Sequence, residues 1–138
     1  MTNATSVSVA SPLAARYGAI GAVLGLVAVA AGAFGAHALK QGLAPAMLEV
    51  FETAARYQLT HAIALVVVAF ALERRVSTSL HAAAALFTIG IVLFSGSLYA
   101  LSLVGPPAWG IVTPFGGACF LGGWACLAAG FLGRRPTA

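Results

Sequence analysis

Few side chains of this sequence are able to act in catalysis or ligand binding, and they concentrate in one half of its long apolar segments. Glu52 and Arg56 are four residues apart, as are Tyr57 and His61, so on a helix each pair would share one face. Groups of this kind can bind a small ligand or can join helices through hydrogen bonds. The candidate set is His37, Glu52, Arg56, Tyr57, Gln58, His61, Ser95, Ser97, Tyr99 and Thr113.

Two histidines in apolar segments raise the question of haem or metal binding. Counted from the same end of their segments, His37 and His61 would differ in height by about 12 Å at 1.5 Å per residue. Two axial haem ligands need nearly the same height. His37, Glu52 and His61 are suitable metal ligands but lack a short-range ligand spacing. No catalytic triad, phosphate loop or carboxylate pair can be assembled. We therefore expect no cofactor and no metal, and catalysis is the less favoured function.

Four apolar segments must position these side chains: residues 17–39, about 53–72, 80–103 and 111–133. Each is long enough to cross a bilayer core, which takes roughly 20 residues. Only 7% of the 138 residues are charged, against about a quarter in soluble proteins. The pattern predicts an all-α integral membrane four-helix bundle. It forms a single domain over residues 13–138, after a disordered leader of residues 1–12.

The basic residues predict how the helices are oriented. One side of the membrane would carry Arg16, Arg74, Arg75, Arg134 and Arg135. The other would carry only Lys40 and Arg56. Cytoplasmic loops are enriched in Lys and Arg, so both termini are expected in the cytoplasm and the candidate set in the outer half of the inner membrane. A topology reporter fused to the C-terminus would test this orientation. Such dispersed charges form no basic patch, so no nucleic acid partner is expected.

The second segment has an unusual outer half. Its purely apolar part, residues 62–72, is shorter than a span. Ala44 and Pro45 can start a helix, and the apolar and charged residues that follow alternate at helical spacing. The sequence predicts an amphipathic stretch that runs into the span and carries polar groups into the membrane. Such groups normally face the bundle interior. They could form a chamber open to the outer surface, or only interhelical hydrogen bonds.

Small residues form stripes along the first and fourth segments. The stripes are Gly18, Gly21, Gly25, Ala28, Gly32 and Gly35, and then Gly116, Cys119, Gly123, Cys126, Gly130 and Gly133. Small residues let helix backbones approach closely in lipid. The neighbour could lie in the same chain, in a second copy or in a partner membrane protein. Trp124, deeper in the fourth segment, is expected to pack in the core.

Several of these residues also carry a resemblance to a known family. The stretches 32–37, 51–54 and 94–99, the residues Tyr57, Gln58 and His61, and the stretches 113–117 and 123–124 resemble the YgdD-type family of small membrane proteins. The resemblance runs from about residue 17 to 124. It implies a four-span inner-membrane protein, with relatives in eukaryotes and no established biochemical activity. It also makes the outer-half residues the family's signature.

The sequence thus favours a membrane module that contacts the lipid bilayer and binds a small ligand, a lipid or a partner protein. An oligomeric transporter or channel and a His-dependent membrane enzyme are the alternatives.

Overall fold

The protein folds into four long helices that are apolar enough to cross a membrane. The computed structural model describes residues 11–105 and 108–133. Its α-helices are α1 (Pro12–His37), α2 (Pro45–Arg74), α3 (Thr78–Gly90), α4 (Gly96–Val104) and α5 (Trp109–Leu132). A 3₁₀ turn at Leu39–Gln41 follows α1, and a π-helical turn at Ile91–Ser95 joins α3 to α4 into one continuous third span. The predicted all-α four-span architecture is confirmed.

Helix starts follow the local sequence. Pro12 and Pro45 each occupy the first turn of a helix, where the missing N–H of proline costs no hydrogen bond. The predicted start of α2 after Ala44 is therefore confirmed. The disordered leader predicted for residues 1–12 lies outside the described residues over 1–10, and α1 already begins at Pro12. The cytoplasmic location of both termini remains a prediction.

Helix α2 is longer than a bilayer core requires. Its 30 residues span about 45 Å at 1.5 Å per residue, against a hydrocarbon core of about 30 Å. Near its start Phe51 is buried while Glu49 and Glu52 are exposed. The first two turns are thus amphipathic, as the sequence predicts, and the helix continues into the membrane without a break.

Most of both small-residue stripes is covered within the chain, and Gly32 of α1 is left open. A Cβ added at Gly21 would lie 2.8 Å from a methyl carbon of Val66 in α2, and one added at Gly35 would lie 3.1 Å from the ring of Phe51. On α5, a Cβ at Gly123 would lie 2.6 Å from the Phe87 ring. The stripe of α1 therefore packs on α2, and that of α5 packs on the third span. A homo-oligomer or partner complex stays a prediction and would need another face.

The helices do not contribute equally to the core. The most deeply buried large side chains include Leu65 and Val68 of α2 and Leu80 and Phe87 of α3. Helix α1 packs mainly along α2, and of its 26 residues only Ala14, Gly21, Ala28 and Gly35 are buried. The core therefore lies among α2, the third span and α5, with α1 at its side.

The π-helical turn interrupts the third span beside the core. The backbone N–H of Gly96 donates to the carbonyl of Ile91, five residues earlier. One extra residue in a turn rotates the following side chains relative to the preceding ones, and such turns are frequent at functional sites. Ser95 and Ser97, at and just after the turn, are both buried. The apolar pattern of residues 80–103 does not predict this turn.

Arg75 follows the end of α2 and binds backbone carbonyls at the end of α5, on the side of the bundle opposite the α1–α2 connection. Its Nη1 donates to the carbonyl oxygen of Gly133 at 3.0 Å, and its Nη2 donates to that of Gly130. These carbonyls end α5, where backbone acceptors lack helical partners. The guanidinium also lies 5.9 Å from the centre of the Phe131 ring.

We expect Arg75→Gln to lower the free energy of unfolding by about 1–2 kcal/mol, because charged donors to free helix carbonyls are lost at a partly exposed site. Arg74→Gln is the matched control, since Arg74 is exposed. Reversible unfolding in mixed micelles measures both. Equal losses in the two variants would contradict a capping role for Arg75.

Candidate functional site

His61 of α2 faces α5, and both of its ring nitrogens are occupied. Nδ1 lies 2.7 Å from the carbonyl oxygen of Tyr57, and Nε2 lies 3.2 Å from Nε1 of Trp124. A carbonyl only accepts and an indole N–H only donates. Nδ1 therefore carries the hydrogen and Nε2 accepts from Trp124. The partners specify one neutral tautomer, which leaves His61 no free lone pair for a metal or a proton.

Aromatic rings surround this imidazole. The His61 ring stacks on Phe120 of α5, with centroids 3.5 Å apart and planes 7° from parallel. Phe87 of α3 lies 5.6 Å from His61 and 5.3 Å from Trp124. Tyr57 stacks on Phe94, with ring centroids 4.7 Å apart. The cluster joins α2, the third span and α5 through their side chains.

A cavity of about 570 Å³ opens beside the cluster. We name it the aromatic groove. Its floor includes Phe94 of the third span, and several of its rim residues are exposed on the flank of the bundle. It therefore opens sideways, toward the bilayer. Its walls include Tyr57, Thr60 and His61 of α2 and Gly117, Ala118 and Trp124 of α5.

Three polar side chains of the aromatic groove, those of Thr60, His61 and Trp124, are hydrogen-bonded within the protein. The hydroxyl of Thr60 donates to the backbone carbonyl of Arg56 at 2.9 Å, and His61 and Trp124 bind each other. With these three side chains paired, the groove offers a ligand mainly apolar and aromatic surface, and the Tyr57 hydroxyl is a further polar group at its wall. The groove is suited to an apolar molecule.

Three other candidate residues make interhelical hydrogen bonds. Gln58 is buried and donates from Nε2 to the carbonyl oxygen of Leu24 in α1 at 2.8 Å. The Ser97 hydroxyl donates to the Phe94 carbonyl at 2.9 Å. Its single hydrogen is then used, so Thr113 donates to Ser97 over the 2.8 Å between their hydroxyl oxygens. These contacts fit the reading that polar groups join the helices.

Ser95 and Tyr99 face the interior of the bundle. The Tyr99 ring lies 4.9 Å from the Phe51 ring of α2. Within the part of the chain that the structure describes, the hydroxyls of both residues are buried without a hydrogen-bond partner. They do not line the aromatic groove.

Glu52 and Arg56 lie on a different side of α2. They line a shallow cavity of about 510 Å³ between α1 and α2, which we name the charged groove. His37 is exposed at the end of α1 and lines neither groove. The candidate residues thus occupy several places and do not share one chamber. Among residues 11–105 and 108–133, no three His, Cys, Asp or Glu side chains are grouped so that they could hold a metal ion.

Trp124 is the functional residue that sequence reasoning misplaced. The prediction that it packs in the core is wrong, because its side chain is 45% exposed at the aromatic groove and donates to His61. One signal pointed this way: an indole N–H inside a membrane span requires an acceptor, and few side chains at that depth can supply one.

Comparison with known proteins places these features in a family. Residues 31–117 match a family described as "Protein of unknown function (DUF423)". The chain belongs to this family. The matched region contains all ten candidate residues, as well as Gly117 at the wall of the aromatic groove and Gly32 at that of the charged groove.

Two curated relatives are also named as membrane proteins. The chain is 40% identical over 109 residues to "UPF0382 inner membrane protein YgdD" of Escherichia coli K12, covering 79% of this chain and 83% of that protein. It is 42% identical over 106 residues to "UPF0382 membrane protein YwdK" of Bacillus subtilis, covering 76% and 86%. No solved structure matches. The resemblance to YgdD-type proteins is confirmed, and the protein is a multi-pass protein of the bacterial inner membrane.

Proposed function

We propose that this protein is a lipid-binding module of the inner membrane, which holds an apolar chain of a membrane lipid in the aromatic groove. The observation that carries the proposal is the cavity of about 570 Å³ between α2 and α5. This volume is in the usual range for ligand sites. The occupant is an acyl chain or an isoprenoid chain, since both are apolar and both are present at this depth.

The chemistry of His61 favours binding over catalysis. A general base needs a free lone pair near its substrate, and both nitrogens of His61 are engaged within the protein. What His61 does instead is hold the indole of Trp124 at the rim of the groove. The imidazole and the indole then act as fixed aromatic walls against which a flexible chain can lie.

Photo-crosslinking tests this proposal. We would incorporate two diazirine probes separately into membranes that contain the protein, one a phospholipid labelled on its acyl chain and the other a polyprenyl compound. We expect saturable labelling at groove residues such as Tyr57 and Trp124 by one of the probes. Comparing the two identifies the class of chain that binds.

A matched pair of variants provides the control. Ala118→Trp fills the groove from its wall, and we expect it to reduce saturable labelling about tenfold, equivalent to about 1.4 kcal/mol of binding. Ala125→Trp adds the same side chain at another exposed position of α5, outside the groove, and should leave labelling unchanged. Labelling spread evenly over the lipid-facing surface, and insensitive to Ala118→Trp, would refute the proposal.

A further inference from the structure

The charged groove places two opposite charges beside an apolar wall. Glu52 and Arg56 of α2 line it together with Val29 and Gly32 of α1. Both charged side chains are exposed. Within the described residues, no carboxylate oxygen of Glu52 lies within 4.0 Å of a guanidinium nitrogen of Arg56. The two charges are thus available to a ligand that carries both signs.

The position of α2 in the bilayer sets the depth of these charges. Glu73 is exposed near the opposite end of the helix and marks one membrane boundary. A core of about 30 Å corresponds to about 20 residues of helix, which puts the other boundary near residue 53. Glu52 therefore lies at the level of the headgroups. Arg56 starts about 6 Å deeper, and its long side chain can reach up to the phosphates.

With the carboxylate of Glu52 at the surface and the guanidinium of Arg56 below it, the order of charges along the groove matches one kind of membrane lipid. In a phospholipid with an ethanolamine headgroup, the ammonium group is outermost, the phosphate follows, and the acyl chains lie deepest. Along the charged groove, the carboxylate of Glu52 is outermost, the guanidinium of Arg56 follows, and the apolar side chains of Val29 and Leu59 complete the wall. The sequence of charges holds whichever side of the membrane this end faces.

We propose that the charged groove is a binding site for a zwitterionic aminophospholipid. The ammonium group donates hydrogen bonds to Glu52, and Arg56 donates to the phosphate, a pairing for which the planar guanidinium is well suited. The acyl chains lie along α1, where Gly32 leaves room because a Cβ there would meet nothing within 4 Å. This inference does not depend on the aromatic groove or its occupant.

Native mass spectrometry of the detergent-purified full chain tests the inference. The probes are phosphatidylethanolamine, phosphatidylcholine and phosphatidylglycerol with identical acyl chains, supplied in equal amounts. Only the first has an ammonium N–H for Glu52. We expect the wild-type protein to retain phosphatidylethanolamine about tenfold better than the other two, the size of one charge-assisted hydrogen bond.

The variants separate the two charges. Glu52→Gln should abolish the preference for ethanolamine over choline, and Arg56→Gln should lower retention of all three lipids about tenfold. Glu49→Gln is the matched control, because Glu49 is an exposed carboxylate on the preceding turn of α2 and lies outside the groove. It should behave as wild type.

A further variant distinguishes loss of lipid binding from loss of folding. Gly32→Leu fills the groove while keeping both charges, so it should release the lipid without lowering the melting temperature. Equal retention of the three lipids by the wild type, or retention unchanged by Glu52→Gln and Gly32→Leu, would overturn the inference. So would competition by soluble glycerophosphoethanolamine as effective as that by the lipid. Photo-labelling of the aromatic groove is read separately, so the two proposals can fail independently.

Discussion

Gly116→Ala is expected to lower the free energy of unfolding by about 3 kcal/mol, at the upper end of overpacking penalties. Gly116 of α5 is buried, and a Cβ there would lie 2.7 Å from Cβ and 2.8 Å from Cα of Phe94. A flexible side chain could move aside, but the backbone of the third span cannot shift without disturbing the π-helical turn that contains Phe94. The two helices would have to separate.

The adjacent residue supplies the control for this measurement. A Cβ at Gly117 would lie 3.9 Å from the ring of Phe94, an ordinary contact distance. Gly117→Ala should therefore change the free energy of unfolding by less than about 1 kcal/mol, and either sign is acceptable. Reversible unfolding in mixed micelles, monitored by circular dichroism, compares the two. Similar losses at both positions would mean that close approach at Gly116 does not hold α5 against the third span.

His61→Ala is expected to cost about 3 kcal/mol, since it removes a buried ring and leaves a cavity among aromatic neighbours. His61 is 4% exposed and stacks on Phe120. The change also leaves the indole N–H of Trp124 without its acceptor. An unpaired donor in a membrane adds to the cost of the cavity.

A double-mutant cycle isolates the hydrogen bond from the packing. His61→Phe keeps an aromatic ring on Phe120, and Trp124→Phe keeps a ring at the rim of the aromatic groove. The coupling between these substitutions should be about 1 kcal/mol, which is within the range of interhelical hydrogen bonds in membranes. A coupling of zero would show that the contact between Nε1 and Nε2 contributes nothing, and His61 would then stabilise the bundle through packing alone.

The features that the sequence predicted are those governed by composition and local pattern. Span lengths follow from apolar length, and the start of α2 follows from Ala44 and Pro45. Small residues at three- and four-residue spacing indicate close packing. They do not identify the neighbour, because a stripe is equally suited to any helix. The structure assigns the stripe of α1 to α2 and that of α5 to the third span.

The features that the sequence did not predict depend on rotation about helix axes. Height in the membrane can be counted from a helix end, and so the candidate residues were correctly assigned to spans. Rotation depends on the packing of all the helices and, in the third span, on the π-helical turn. Glu52 and Tyr57 are close in sequence yet line grooves on different flanks of α2. The position of Trp124 was wrong for the same reason, since the depth of a residue in the membrane does not show whether its side chain lies in the core or at the rim of a groove.

The hydrogen bond from Gln58 to the Leu24 carbonyl has a consequence for how the chain enters the membrane. Span two has a mean hydropathy of 1.5, against 2.1 for span one, because it carries Gln58 and His61 among its apolar residues. Span one is synthesised first and brings the acceptor for Gln58 into the bilayer before that side chain arrives. Because α1 is made first, the less apolar α2 meets a helix that accepts the hydrogen bond of Gln58 while both are still at the translocon. The first two spans are therefore suited to enter the lipid together as a helical hairpin.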